Sequence, residues 1–236
     1  VISDINLTYS EIARQYLLSE GFDKNMVINT GSPMKEVLDF YSKKIEDSKI
    51  LSKLKIEKNN FFLVSLHREE NLDYEEKLTK VPKILNKLVE EFSLPVIVST
   101  HPRAKKKIEE SNFNFSDDIS FLEPFSFSDY CSLQINSRCV LSDSGTISEE
   151  SSILNFPAIN LRIFHERPEG TEEASVISVG LNLSNIFNAI RITDSQLKGE
   201  NRSLKIVDDY DVDNVSEKIS RIILGNIDLV RQDVWR

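Results

Sequence analysis

Short apolar runs, each stopped by a turn-forming residue and followed by a helical pattern, recur along most of this chain and constrain its fold more than any other feature. A strand covered on both faces reads as a continuous apolar run, and helices between such runs connect the strands of a parallel sheet. The runs read as strands at Ile2 to Leu7, Val27 to Thr30, Phe61 to Leu66, Val96 to Thr100, Ile119 to Leu122, Cys139 to Leu141 and Ala158 to Leu161. Between them Ser10 caps a helix from Glu11 to Glu20, and Gly21 stops it. Tyr74 to Glu91 carries Leu78, Val81, Leu85, Leu88 and Val89 near helical spacing, with Pro82 expected in an early turn. Ser126 and Asp129 resemble a capping box ahead of Tyr130 to Asn136, and the tail, Val212 to Leu224, sets Val212, Val215, Ile219, Ile222 and Ile223 on one face of a packed terminal helix. The fold class that follows is α/β, a doubly wound, Rossmann-like parallel sheet.

Thr30 to Pro33, TGSP, breaks this rhythm and precedes a long stretch rich in Lys and Glu, Lys35 to Asn60. The expected organisation is therefore 1–32 as the last βα unit of one domain, 33–60 as a crossing, and 61–236 as a second domain with its terminal helix. The chain begins without Met in a segment that already reads as strand then helix, so it is expected to be part of a longer protein. At 236 residues and 40% apolar composition it can bury one large core, or a domain plus part of another.

The formal charge of -9 argues against a nucleic-acid or anionic-membrane surface. Cys131 and Cys139 have no His or Cys partner at metal-ligand spacing, which speaks against zinc and for a reducing cytoplasm. No apolar run reaches membrane-spanning length and no signal peptide is visible, so a cytoplasmic location is expected.

In an open α/β sheet the ligand sits beyond the carboxyl ends of the strands. The residues that follow the apolar runs are His67-Arg68-Glu69-Glu70-Asn71, His101-Pro102-Arg103, Glu123-Pro124-Phe125, Ser144-Gly145-Thr146, and His165-Glu166-Arg167-Pro168-Glu169-Gly170. Leu141 to Ser151, LSDSGTISEES, reads as a strand, a Ser-Gly turn and a helix start, where unpaired N–H groups and a partial positive charge suit a phosphate. Ser144 and Thr146 add hydroxyls, Gly145 admits close approach, and Glu150 is placed to accept two hydrogen bonds from a vicinal diol such as ribose. The bland alternative is an ordinary helix start with acidic residues favouring its dipole, and each His or Arg taken alone is equally a solvated loop residue. Taken together, cations around a helix start define a polyanion site, most simply for a diphosphate. Phe125, Phe127 and Tyr130 offer either a face for a base or ordinary core. The P-loop, GxGxxG and GxSxG patterns are all absent.

HREEN, DSGTISEES and HERPEG, in this order and spacing, resemble the non-hydrolysing UDP-N-acetylglucosamine 2-epimerases, whose usual forms are close to GHRRE, DSGGxQEE and TERPE. The fuller strings VISDINLTYSE, GSPMKEVL, STHPRAKKK and LSDSGTISEESS are most similar to the capsule and O-antigen branch, which makes UDP-N-acetyl-L-fucosamine from its C2 epimer, UDP-2-acetamido-2,6-dideoxy-L-talose. The resemblance runs nearly end to end. It implies a fold of the GT-B type, with this chain holding the UDP-binding C-terminal half and the last βα unit of the first half.

By the same resemblance, Ser144, Gly145 and Thr146 contact the diphosphate, Glu150 the ribose hydroxyls and Arg167 the phosphates. Phe125 offers backbone groups and Tyr130 its ring to uracil, while Arg68 lines the UDP site. His67 lies near the diphosphate and the reacting sugar, and is the catalytic candidate. Thr146 stands where the family often has a second Gly. The resemblance implies no cofactor and no metal; the expected partners are a UDP-sugar and a second copy in a homodimer, with no nucleic acid and no membrane. The carboxylates that move the C2 proton belong, in the family, to the other half, and this half alone is expected to be inactive. A GT-B glycosyltransferase with a UDP-sugar donor and a non-catalytic nucleotide-sugar binding module remain the competing readings.

Overall fold

A computed structural model describes residues 3–66, 75–100, 113–163 and 167–234. The chain forms two units, Val1–Tyr41 with Ile206–Arg236, and Ser42–Lys205.

In the first unit β1 (Asn6–Thr8) and β2 (Val27–Asn29) pair in parallel, with α1 (Glu11–Ser19) between them. The ends of α1 follow the sequence: the Ser10 hydroxyl accepts the Ala13 N–H at 3.2 Å, and Gly21 turns the chain at φ 92°. The first strand is shorter than its apolar run, whose Ile2 lies outside the described residues. The charged stretch after Pro33 is mostly helical, as α2 (Met34–Glu46), in which the buried Leu38 and Ile45 stand two turns apart, and α3 (Ile50–Leu54), which lies within the second unit and buries Ile50.

The tail helix, α9 (Val215–Leu229), groups with residues 1–41, whereas the sequence reading assigned the tail to the unit beginning at Phe61. Asp209 makes this connection. Its carboxylate accepts the Glu11 N–H at 3.1 and 3.2 Å and the Asn29 amide at 3.1 Å, and its carbonyl accepts the Ser32 N–H at 2.9 Å. Of the apolar face expected on the tail, Val215 is buried and Ile223 stays exposed.

The second unit holds β3 (Phe62–Leu66), β4 (Val96–Thr100), β5 (Ile119–Leu122), β6 (Cys139–Ser142), β7 (Ala158–Asn160) and β8 (Ile177–Ser178), all parallel, in the order β5-β4-β3-β6-β7-β8. Side chains alternate strictly. Phe62, Val64, Leu66, Val96, Val98, Cys139, Leu141 and Ile159 face α4 (Glu75–Phe92) and α8 (Leu183–Thr193) through Val81, Leu85, Leu88, Ile186 and Ile190. Phe61, Leu63, Ile97, Val140 and Ala158 face α5 (Phe127–Asn136) and α6 (Ile147–Leu154) through Leu133 and Ile147. Both faces are covered, which is why the strands read as unbroken apolar runs. Among the elements that escaped the sequence reading, β8 is only two residues long and carries no pattern, and α8 follows it closely, after Val179 to Asn182. Pro82 lies inside α4 beyond its first turn, not in the early turn expected of it.

Gly31 and Gly21 test the packing of the first unit. Both have positive φ, 80° and 92°, but a Cβ on Gly31 would come within 2.8 Å of Val212, whereas one on Gly21 meets nothing within 4 Å. Gly21→Ala should cost about 1 kcal/mol of backbone strain and Gly31→Ala about 2–3 kcal/mol. Denaturant midpoints of the two variants check the difference, which measures how firmly Val212 is held.

Candidate functional site

Beyond β3 the sheet grows one way, to β4 and β5; beyond β6 it grows the other way, to β7 and β8. The neighbouring pair β3 and β6 is therefore the switch point of the sheet, where connections leave in opposite directions and a crevice opens at the carboxyl ends. β6 delivers Asp143, Ser144, Gly145 and Thr146 into that crevice, directly ahead of α6.

Thr146 occupies the N-cap position of α6 but makes no side-chain bond into the helix. Its hydroxyl lies 3.0 Å from that of Ser144 instead, and the Ser144 N–H donates to the Ser142 hydroxyl at 3.0 Å. Among the described residues the helix start has no side-chain cap, while the Thr146 N–H donates to the Ser144 hydroxyl at 3.4 Å; a helix start of this kind suits an anion. Ser144, Gly145 and Thr146 are partly exposed while the residues of the following turn, Ile147 to Glu150, are buried. The loop is therefore open to solvent while the turn behind it belongs to the core.

The two acidic residues of that first turn are almost fully enclosed, Glu149 at 4% and Glu150 at 8% exposure. Carboxylates this buried need partners. Glu149 forms an ion pair at 2.9 Å with Arg167, the residue that precedes α7 (Pro168–Glu172). Glu150 accepts a hydrogen bond from the Gln134 side-chain amide of α5 at 2.5 Å. Each carboxylate is thereby held from a different flank of α6.

Below Glu150 the sheet turns polar. Ser99, Ser65 and Ser142 stand side by side in register across β4, β3 and β6, all buried, one rung short of or at the strand ends and on the face that carries α5 and α6. Their small side chains leave room for the Tyr130 hydroxyl. Burial pushes the Tyr130 phenol well above its ordinary range; the Glu150 carboxylate adds to this, and the Ser65 hydroxyl acts the other way. Tyr130 is a neutral donor at any physiological pH. Phe125 is partly buried and packs with it on the apolar cluster under α5.

Of the residues expected at the site, Ser144, Gly145 and Thr146 form one turn, Glu150 and Tyr130 meet behind it, and Arg167 reaches the same helix start through Glu149. His67 and Arg68 lie outside the described residues, as do His101, Arg103 and His165. Gln134 and the Glu149 to Arg167 pairing were missed by sequence reasoning. The available signal was a glutamine inside an apolar stretch, between Leu133 and Ile135, four positions after Tyr130. Among the described residues no group of three or more His, Cys, Asp or Glu side chains is arranged to hold a metal ion, and no helix is long and apolar enough to cross a membrane.

A family model for UDP-N-acetylglucosamine 2-epimerase matches residues 1–224. The chain belongs to this family. It is 31% identical over 198 residues to the UDP-N-acetylglucosamine 2-epimerase of Methanocaldococcus jannaschii, covering 81% of this chain and 54% of that one. The structure of the family member from Rickettsia bellii aligns with a TM-score of 0.91 at 40% identity, over 99% of this chain and 62% of that one. The structure of the Methanocaldococcus jannaschii protein in complex with UDP-GlcNAc and UDP aligns with a TM-score of 0.82 at 29% identity, over 95% of this chain and 62% of that one. The chain therefore spans little more than half the length of the family members it matches.

Breaking the pair at α6 should be costly. Arg167→Ala leaves Glu149 enclosed without its cation, with an expected loss of about 2–4 kcal/mol in unfolding free energy, and adding Glu149→Gln should restore at least half of it. Chemical denaturation of the single and double variants checks this.

Burial, reinforced by Glu150, pushes the Cys131 thiol up to about 12, and burial does the same for Cys139. At pH 8 about one in ten thousand of each is thiolate, so a thiol-reactive dye should label both only after unfolding. Rapid labelling of the native protein would contradict this environment.

Proposed function

We propose that this chain supplies the UDP-binding wall of an enzyme that inverts C2 of a UDP-N-acetylhexosamine. The uncapped start of α6 at the switch point of the sheet carries this reading. A diphosphate there meets the Gly145 N–H and the Ser144 and Thr146 hydroxyls ahead of the start of α6, with the Arg167 guanidinium held beside the same helix by Glu149. Glu150 then accepts the ribose hydroxyls, Phe125 offers backbone groups and Tyr130 its ring to uracil, and His67 and Arg68 complete the diphosphate site. UDP-GlcNAc and UDP bound to the Methanocaldococcus jannaschii relative support the ligand class.

In the proposed reaction a carboxylate removes the C2 proton while the C1–O bond breaks, and UDP departs with the bonding electrons to leave a C1=C2 double bond. Protonation of C2 on the opposite face and return of UDP to C1 complete the inversion with no net oxidation. Departure of UDP is the step that this half favours, because fixed N–H dipoles and a guanidinium stabilise charge as it develops on the diphosphate. The proton-transferring carboxylates are assigned to the portion of the family fold outside this chain. Precursor supply for capsule or O-antigen and a homodimeric state belong to the same proposal. Residues 1–32, 33–60 and 61–236 remain the proposed division between the family's two halves, apart from the tail after Ile206, which groups with residues 1–41.

Deuterated water provides the test. The full-length protein should place deuterium at C2 of its UDP-sugar, and this chain alone should not; transfer of the sugar to an acceptor without exchange would establish a glycosyltransferase instead. Glu150→Gln should weaken UDP binding by about 1–3 kcal/mol in calorimetry, through loss of charge-assisted bonds to the diol. An unchanged affinity would remove Glu150 from the ribose.

A further inference from the structure

We propose that Gln134 is a positioning residue for nucleotide recognition: its side-chain amide fixes the Glu150 carboxylate in the orientation that meets the ribose diol. This rests on the reading of Glu150 given above.

Gln134 is completely buried, in the middle of α5, between residues that pack on the apolar cluster beneath it. Its Nε2 donates to Glu150 Oε2 at 2.5 Å, while its Oε1, also buried, has no hydrogen-bond partner among the described residues. The amide cannot turn over to relieve this, because the opposite orientation would set its carbonyl oxygen against a carboxylate. A half-satisfied amide in an apolar stretch is a poor choice for stability, where a methionine or leucine would fill the same space without polar atoms. What the amide does supply is a fixed partner for Glu150.

The terminal torsion of a glutamate is broad and poorly determined by the backbone. A ribose diol needs the carboxylate plane presented edge-on, so a freely rotating carboxylate would lose that freedom on every binding event. The Glu150 backbone is already set by its N–H bond to the Thr146 carbonyl at 3.0 Å in the first turn of α6. Gln134 sets the other end. A carboxylate has about four lone-pair sites, so the bond from the amide, which engages one of them, does not by itself exhaust the acceptor.

The experiment compares UDP with 2′-deoxy-UDP, by calorimetry, in the full-length protein and in its Gln134→Met variant. Methionine keeps the length of the side chain and cannot donate. The wild type should prefer UDP by roughly ten-fold, and Gln134→Met should reduce that preference to about two-fold or less, chiefly by weakening UDP. A purely structural glutamine would instead lower the melting temperature and leave the preference intact, and that result overturns the proposal while leaving Glu150 at the ribose. Equal binding of the two nucleotides by the wild type would remove the ribose reading itself. Should Gln134→Met fail to fold, the side-chain amide resonance of Gln134 in the wild type decides: UDP should shift it clearly more than 2′-deoxy-UDP does, and equal shifts overturn the proposal.

Discussion

Pairing of β3 with β6, Phe62 against Cys139 through Ser65 against Ser142, is the contact on which the second unit depends. These strands are remote in sequence, and two complete strand and helix excursions separate them. Because the chain first builds outward from β3 and only then returns to lay β6 on its other side, the sheet has a switch point between them. The same pairing aligns Ser65 with Ser142 and, through β4, with Ser99. A row of small polar side chains thus ends an otherwise apolar face beneath the site.

The charges around α6 follow from that placement. Asp and Glu in a first turn are favoured by the helix dipole, but the dipole alone does not justify enclosing them. Glu149 tolerates burial because Arg167 comes to it, and the pairing has a second consequence: one of the two carboxylates that would repel an incoming phosphate is neutralised, and a guanidinium is held at the same helix start. Glu150 is met from the other side by a neutral donor, the Gln134 amide. Two adjacent residues of one type therefore have different tasks, set by what approaches them from either side.

In the first unit the two ends of the chain depend on each other. A two-stranded parallel pair with one helix has little core of its own. Residues returning after Ile206 complete it, with the Asp209 carboxylate bonded to the start of α1 and to Asn29, and Val212 closed against Gly31. The tail was legible as an amphipathic helix but not as a partner of residues 1–41, because a hydrophobic stripe says that a helix packs without saying on what.

What the sequence determined by itself was local or pairwise along the chain. Strand positions came from apolar runs, the ends of α1 from Ser10 and Gly21, and the loop ahead of α6 from a Ser-Gly turn between strand and helix; each is fixed by backbone and side-chain chemistry within a few residues. Family membership was legible for a related reason, since HREEN, DSGTISEES and HERPEG are contiguous strings. Only the tertiary structure decided that Glu149 faces Arg167 while Glu150 faces Gln134, that three serines from separate strands share a row, and that the tail joins the first unit. None of these has a local signature. They arise when strand register and helix rotation, set by burial on both sheet faces, bring distant residues to within hydrogen-bonding distance.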